Sequence, residues 1–206
     1  MKQLRPALVL TSFFVVLFGL AFPALVFAIG RVALPNQASG SLLKDAKGNV
    51  VGSALLGQPF HSPAYFHPRP SAAGAGYDAA NSGGTNLGAT SDKLVNGVKD
   101  DPATKDVDET YLGFRALAQA YRVENGLAPD AVIPADAATR SASGLDPDIS
   151  PANAGLQVAR VAKARGLSAA RVEQLVVSHT AGRFLGIIGE PRVNVLQLNL
   201  ALDALK

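Results

Sequence analysis

The chain has 206 residues, is 48% hydrophobic and 17% charged, and contains no Cys and no Trp. Its length suits one domain with an appendage, and the missing Cys excludes disulfide scaffolds, thiolate zinc sites, iron–sulfur clusters and Cys nucleophiles. The formal charge of +3 comes from Lys2, Arg5 and Arg31, because residues 32–206 hold 16 basic and 16 acidic side chains; nothing implies the basic face a nucleic-acid binder needs.

Ala7 to Ile29 carries no charge, and 15 of its positions are Leu, Val, Phe or Ile. As a helix it would be about 35 Å long, enough for a hydrocarbon core of about 30 Å. Those 15 residues favour insertion by about 4–9 kcal/mol before small and polar residues are set against them. Lipid offers the backbone no partners, so a helix is the form that satisfies it. Pro23 would bend or loosen the helix near its outer end. Lys2 and Arg5 precede the span and only Arg31 follows closely, which places the N-terminus in the cytoplasm and the rest outside. Two readings of this segment stay open. Its length favours a retained anchor, residues 1–31 with a transmembrane helix over about 7–29. Val26-Phe27-Ala28 fits the cleavage site of a signal peptide, which would make the chain a secreted or periplasmic binding protein. Both put residues 32–206 outside as a single α+β domain.

Val32 to Gln37 reads as a linker, with Pro35 stopping the helix. Ser41-Leu42-Leu43 and Val50-Val51 flank Lys47-Gly48-Asn49, a small β-hairpin. Phe60 to Gly88 is a long Pro-, Gly-, Ser- and Asn-rich loop whose four aromatics argue against disorder. Asp106 and Glu109 have capping-box spacing and open a helix with Val107, Tyr111, Phe114, Ala118 and Tyr121 on one stripe, ended by Asn125-Gly126 and Pro129. Short extended pieces are expected near Val132-Ile133 and Thr139–Ser143. Ser150-Pro151 opens a second helix that Gly166 closes, Ser168 caps a third, and Asn194 a fourth. Residues 78–148 hold 12 acids and 6 bases, and residues 149–206 hold 3 acids and 7 bases, so opposite signs meet within the fold.

No constellation announces catalysis. His61, His67 and His179 accompany many Ser and Asp, but no GxSxG ties them together, so an exported hydrolase has little support. Asp146-Pro147-Asp148 and Asp100-Asp101 lack the spacing of a calcium loop and read as caps and turns. Ser82-Gly83-Gly84-Thr85-Asn86-Leu87-Gly88 lacks the lysine of a nucleotide P-loop.

Five segments in order nevertheless form a pattern: Tyr65-Phe66-His67-Pro68-Arg69-Pro70-Ser71-Ala72 with Tyr77-Asp78; Ser82 to Gly88; Ser141-Ala142-Ser143-Gly144-Leu145-Asp146-Pro147-Asp148-Ile149-Ser150-Pro151; Gln157 with Arg160-Val161-Ala162; and Gly189-Glu190-Pro191-Arg192-Val193-Asn194-Val195-Leu196. With the single span, this resembles the C subunit of the bacterial Kdp-type high-affinity potassium-transporting ATPase, over nearly the whole chain. Thr85 and Asp148 depart from it, standing where the resemblance leads one to expect Ser and His. The resemblance implies a non-catalytic accessory subunit of a plasma-membrane complex, with three partners besides membrane lipid: a channel-like potassium-translocating subunit, a P-type ATPase subunit that hydrolyses ATP, and a small single-span subunit. It also implies a catalytic-chaperone role in ATP binding, and links Ser143, Gly144, Asp146 and Gln157 to nucleotide. No firmly bound cofactor is expected. With the domain outside, any effect on cytoplasmic ATP would pass through partner contacts.

Overall fold

The computed structural model describes residues 3–45, 47–99 and 110–205. The chain forms two compact units, Met1–Ser53 and Ala54–Lys206.

In the first unit one continuous helix runs from Leu4 to Ala33, long and apolar enough to cross a membrane and with none of that apolar stretch buried. It consists of α1 (Leu4–Val16), a π turn (Leu17–Ala21) and α2 (Phe22–Ala33). The π turn is the local answer to Pro23. A proline ring collides with the carbonyl four residues back, here that of Gly19, and supplies no N–H. Widening the preceding turn lets the Phe22 N–H reach the Leu17 carbonyl, so the ladder continues. The expected linker is partly helical. Leu34 leaves helical geometry, and Pro35 then starts the single turn α3 (Pro35–Ala38). The hairpin forms as expected: β1 (Leu42–Lys44) pairs antiparallel with β2 (Val50–Ser53), with Leu43 opposite Gly52. Asp45 organises its turn by accepting from the Lys47 and Asn49 N–H groups.

The second unit contains α4 (Asp92–Asn96), α5 (Phe114–Glu124), a 3-10 turn (Ala135–Ala137), β3 (Asp148–Ile149), α6 (Pro151–Arg165), α7 (Ala169–Ser178), β4 (Thr180–Ala181), β5 (Arg192–Asn194) and α8 (Val195–Ala204). The strands form an antiparallel sheet in the order β3-β5-β4. Ile149 and Thr180 lie opposite Val193 from its two sides. Val161, Val172, Leu198 and Leu202 from α6, α7 and α8 make the core together with Ile149, Val193 and one loop residue, Phe66. Mixed helix and sheet is the expected class.

Three caps sit where the sequence puts them. Ser150 Oγ accepts from the Asn153 N–H, Ser168 Oγ from Arg171 and Asn194 Oδ1 from Gln197, each satisfying a helix-terminal donor. Gly166 closes α6 at φ +66, and Leu167 N–H returns to the Ala162 carbonyl.

Two expectations are corrected. The helix expected from Asp106 begins at Phe114; Asp106, Val107 and Glu109 lie outside the described residues. Tyr111 is extended instead, because it exchanges both backbone hydrogen bonds with Val98. Val132-Ile133 and Thr139–Ser143 are not strands. Thr139 spends its N–H and hydroxyl on the Ala135 carbonyl, closing the 3-10 turn, and the sheet is built from shorter segments elsewhere.

Candidate functional site

The buried face of α6 carries Asn153 and Gln157, one turn apart, where an apolar side chain would normally sit. α8 carries the equally buried Asn199. These amides hold the 60–88 loop. Asn199 Oδ1 accepts from the Phe66 N–H at 2.9 Å and its Nδ2 donates to the Phe66 carbonyl at 2.9 Å. Gln157 repeats the arrangement one residue on, with Oε1 2.7 Å from His67 N and Nε2 3.0 Å from His67 O. Two side-chain amides thus do for consecutive residues what a neighbouring strand would do. Phe66 can enter the core only if its backbone groups find partners there.

Around this clamp the network is closed. Gln157 Oε1 also accepts from Arg160 Nη2, and its Nε2 also donates to Asn153 Oδ1. Asn153 Oδ1 accepts from the Tyr121 hydroxyl, and its Nδ2 donates to Asp136, which also accepts from Ser150. Burial pushes the Tyr121 phenol well above its ordinary value. Arg160 donates to the Pro63 and Tyr65 carbonyls and to Asn125 at the end of α5. His67 places its ring between the Ser62 carbonyl and Glu124, with Nδ1 2.7 Å from Oε1.

That His67 hydrogen bond holds the Glu124 carboxyl below the usual range, against the opposing effect of burial. A depressed carboxyl contributes stability above its unfolded value of 4.5, and the contribution is lost as pH falls through the lower folded value. Glu124→Gln should therefore lower the melting temperature at neutral pH, and the gap to wild type should close as pH falls below about 4.5, which flattens the acid limb.

The second candidate element is the turn 143–146. Gly144 has φ +68, and a Cβ there would meet the Ala73 nitrogen and the Gly83 carbonyl oxygen, each at 2.7 Å. Its carbonyl accepts from Ser71 Oγ, and the Ser143 carbonyl accepts from Gly83 N–H and Ser82 Oγ. Ser143 Oγ accepts from Leu145 N–H. The Ser82–Gly88 loop therefore serves as a brace for this turn. Tyr77, whose phenol burial raises, donates to the Arg69 carbonyl. Asp146 Oδ2 pairs with Arg69 at 2.8 Å, and Oδ1 accepts from Asp148 N–H. Asp148 pairs with Arg192; burial raises its carboxyl, partly offset by that arginine.

An open cavity of about 520 Å³ lies here, bounded by Arg69, Asp136, Thr139, Asp146, Asp148 and Arg192. Asp146 lines it; Ser143, Gly144 and Gln157 do not. The four residues tied to nucleotide by resemblance thus fall into three settings: Asp146 at a cavity edge, Ser143 and Gly144 in the loop-braced turn, and Gln157 in the amide network. Among the described residues no group of three or more His, Asp or Glu is arranged to hold a metal. The described histidines show no Ser-His-acid triad: His67 faces Glu124 and the Ser62 carbonyl, and although His179 Nδ1 lies 3.2 Å from Ser178 Oγ, that hydroxyl donates to the Leu175 carbonyl, which is also 2.9 Å from Nδ1, a local arrangement at the end of α7. Asp100-Asp101 lie outside the described residues. Of the clamp residues, Asn153, Asn199 and Asp136 carry no role in the sequence reading, and Tyr121 enters it only as a member of a helical stripe. The available signal was the amide polarity of Asn153 and Asn199 on otherwise apolar helix faces.

The pattern of the whole chain is similar to known proteins. The family model described as KdpC, K+-transporting ATPase, c chain, matches residues 4–204. A potassium-transporting ATPase KdpC subunit of Caulobacter sp. (strain K31) is 52% identical over 204 residues, covering 99% of this chain and 94% of the relative. The KdpC subunit of Koribacter versatilis is 48% identical, covering 98% and 94%, and that of Mycobacterium bovis 48%, covering 99% of each. A match that runs from the first residue of α1 to the end of α8, with half the residues shared, means that the chain belongs to the KdpC family, the c chains of K+-transporting ATPases.

Proposed function

We propose that this chain is the non-catalytic accessory subunit of an ATP-driven potassium uptake complex in the bacterial plasma membrane. The observation that carries the reading is a family match over the whole chain together with an apolar helix, Leu4–Ala33, that the chain does not bury. Such a surface is stable only against lipid or other membrane helices. The helix acts as a single-pass anchor, with Lys2 and Arg5 on the cytoplasmic side and residues 32–206 outside. The partners are a channel-like potassium-translocating subunit, a P-type ATPase subunit that carries out hydrolysis, and a small single-span subunit.

The chain supports ATP binding by the P-type subunit through contacts with its partners, as a coupling free energy between sites. In this reading Ser143, Gly144, Asp146 and Gln157 act as framework. What supports this is that the Gln157 amide already has four internal partners and that the Ser143 and Gly144 carbonyls are taken by the neighbouring loops.

Two measurements check it. The chain has no native Cys, so a cysteine at the exposed Val132 can be labelled selectively. A membrane-impermeant thiol reagent should modify it in intact spheroplasts; modification only in inside-out vesicles overturns the orientation. A photoreactive ATP analogue applied to the purified complex should label the P-type subunit, and label recovered on the 143–157 peptide of this chain overturns the indirect role.

A further inference from the structure

The segment between β4 and β5 exposes four large apolar side chains within five residues: Phe184 (65% exposed), Leu185 (76%), Ile187 (76%) and Ile188 (59%). Together they present on the order of 500 Å² of accessible surface, above what single scattered surface residues contribute and in the range that marks interaction sites. The tip is held in shape. Phe184 and Ile188 exchange both backbone hydrogen bonds, at 2.8 and 3.0 Å, and Gly186 N–H returns to the Arg183 carbonyl. At the base Arg183 Nη2 lies 2.8 Å from both carboxylate oxygens of Glu190, and Arg192 pairs with Asp148.

We propose that this tip is a preformed anchor that seats in an apolar pocket on the extramembrane surface of a neighbouring subunit of the same ATPase. The inference rests on the accessory-subunit reading and adds to it the contact by which the domain docks. Three observations select this occupant. The cations beside the tip, Arg183 and Arg192, are each neutralised by an acid of the same chain, and residues 182–191 contain no Trp, Tyr or Lys. A peripheral lipid contact of the usual kind is an amphipathic helix whose Trp, Phe or Leu face is backed by free Lys or Arg toward anionic headgroups; this tip is a closed turn whose two flanking arginines are already paired, so it is built for a protein pocket. Its area falls short of the roughly 800 Å² per partner that a stable interface needs, so it does not by itself hold two copies together. It is adequate as a second attachment for a chain already confined by the Leu4–Ala33 helix, because tethering turns the second contact into an intramolecular one. The partner is then a subunit that the anchor already brings close. The backbone closure of the tip also means that little conformational freedom is lost on seating.

The test places a photo-crosslinking residue at Leu185, and separately at Ile187, in the full complex in native membranes. The expected result is an adduct with one other subunit, identified by mass. Adducts with lipid only, adducts with a second copy of this chain only, or no adduct from either position each overturn the proposal. In parallel, a variant carrying both Leu185→Asp and Ile187→Asp changes only side chains that already face water, so its domain should keep the wild-type circular dichroism. This variant should stay in the membrane through its helix and leave the detergent-solubilised complex at least tenfold faster than wild type. A variant bound as tightly as wild type overturns the docking contact alone. A wild-type chain that co-purifies with no other subunit overturns the accessory-subunit reading and the contact together.

Discussion

Asn199→Leu should destabilise the folded domain by about 2–6 kcal/mol, because it leaves the Phe66 N–H and carbonyl buried without partners at about 1–3 kcal/mol each. Leu has as many side-chain heavy atoms as Asn, branched at the same carbon, so no cavity is left, and its bulkier methyl groups add to the loss instead of offsetting it. The alternative open to the chain is to withdraw Phe66 from the core, which exposes its ring and opens a cavity, at a cost of about 3–5 kcal/mol for a fully buried Phe. Either route consumes a large fraction of a typical domain stability of about 5–15 kcal/mol. The measurement is a urea unfolding midpoint for the detergent-solubilised protein, followed by tyrosine fluorescence since the chain has no Trp. Gln197→Leu, exposed on the same helix, is the comparison and should stay within about 0.5 kcal/mol of wild type. A loss below 1 kcal/mol for Asn199→Leu would show that the clamp is not what holds the loop. Combining it with Gln157→Leu should give less than the sum of the two, because both variants release the same stretch of backbone.

Gly144→Ala is the second large effect. The residue sits at φ +68, where a Cβ costs about 1–2 kcal/mol. That Cβ would also lie 2.7 Å from two backbone atoms, Ala73 N and Gly83 O, which cannot swing aside as a side chain would. Overpacking of this kind adds about 1–3 kcal/mol. Gly126→Ala separates the two contributions, since Gly126 has φ +65 and nothing within 4 Å of its added Cβ. The Gly144 variant should melt at clearly lower temperature than the Gly126 variant, and limited proteolysis should cut first in the 60–88 loop that braces the turn. Equal melting of the two would mean that the loops yield and that the close approach does not hold the turn.

Much of the molecule was legible in short windows of sequence. The apolar helix, the caps at Ser150, Ser168 and Asn194, and the stop at Gly166 all appear where expected. Each depends on residues within about four positions of one another, so the signal and the structure occupy the same stretch of chain. α5 starts later than the capping-box spacing implies because Tyr111 is claimed by Val98 from 13 positions earlier. The β3-β5-β4 sheet was not foreseen, since strands of two or three residues are too short to show an alternating pattern.

The sequence by itself determined the long apolar helix, the N-caps of α6, α7 and α8, the stop at Gly166 and the family. Only the tertiary structure decided what Gln157 and Asn199 do, since their partners stand 90 and 133 positions away. It also separated Gln157 from Asp146 and left the apolar side chains of the 184–188 tip exposed. The physical reason is the range of the forces that act. Capping and helix periodicity are settled within a turn of backbone, whereas a buried amide is defined by which distant loop it must satisfy, and that is known only when the chain has closed on itself.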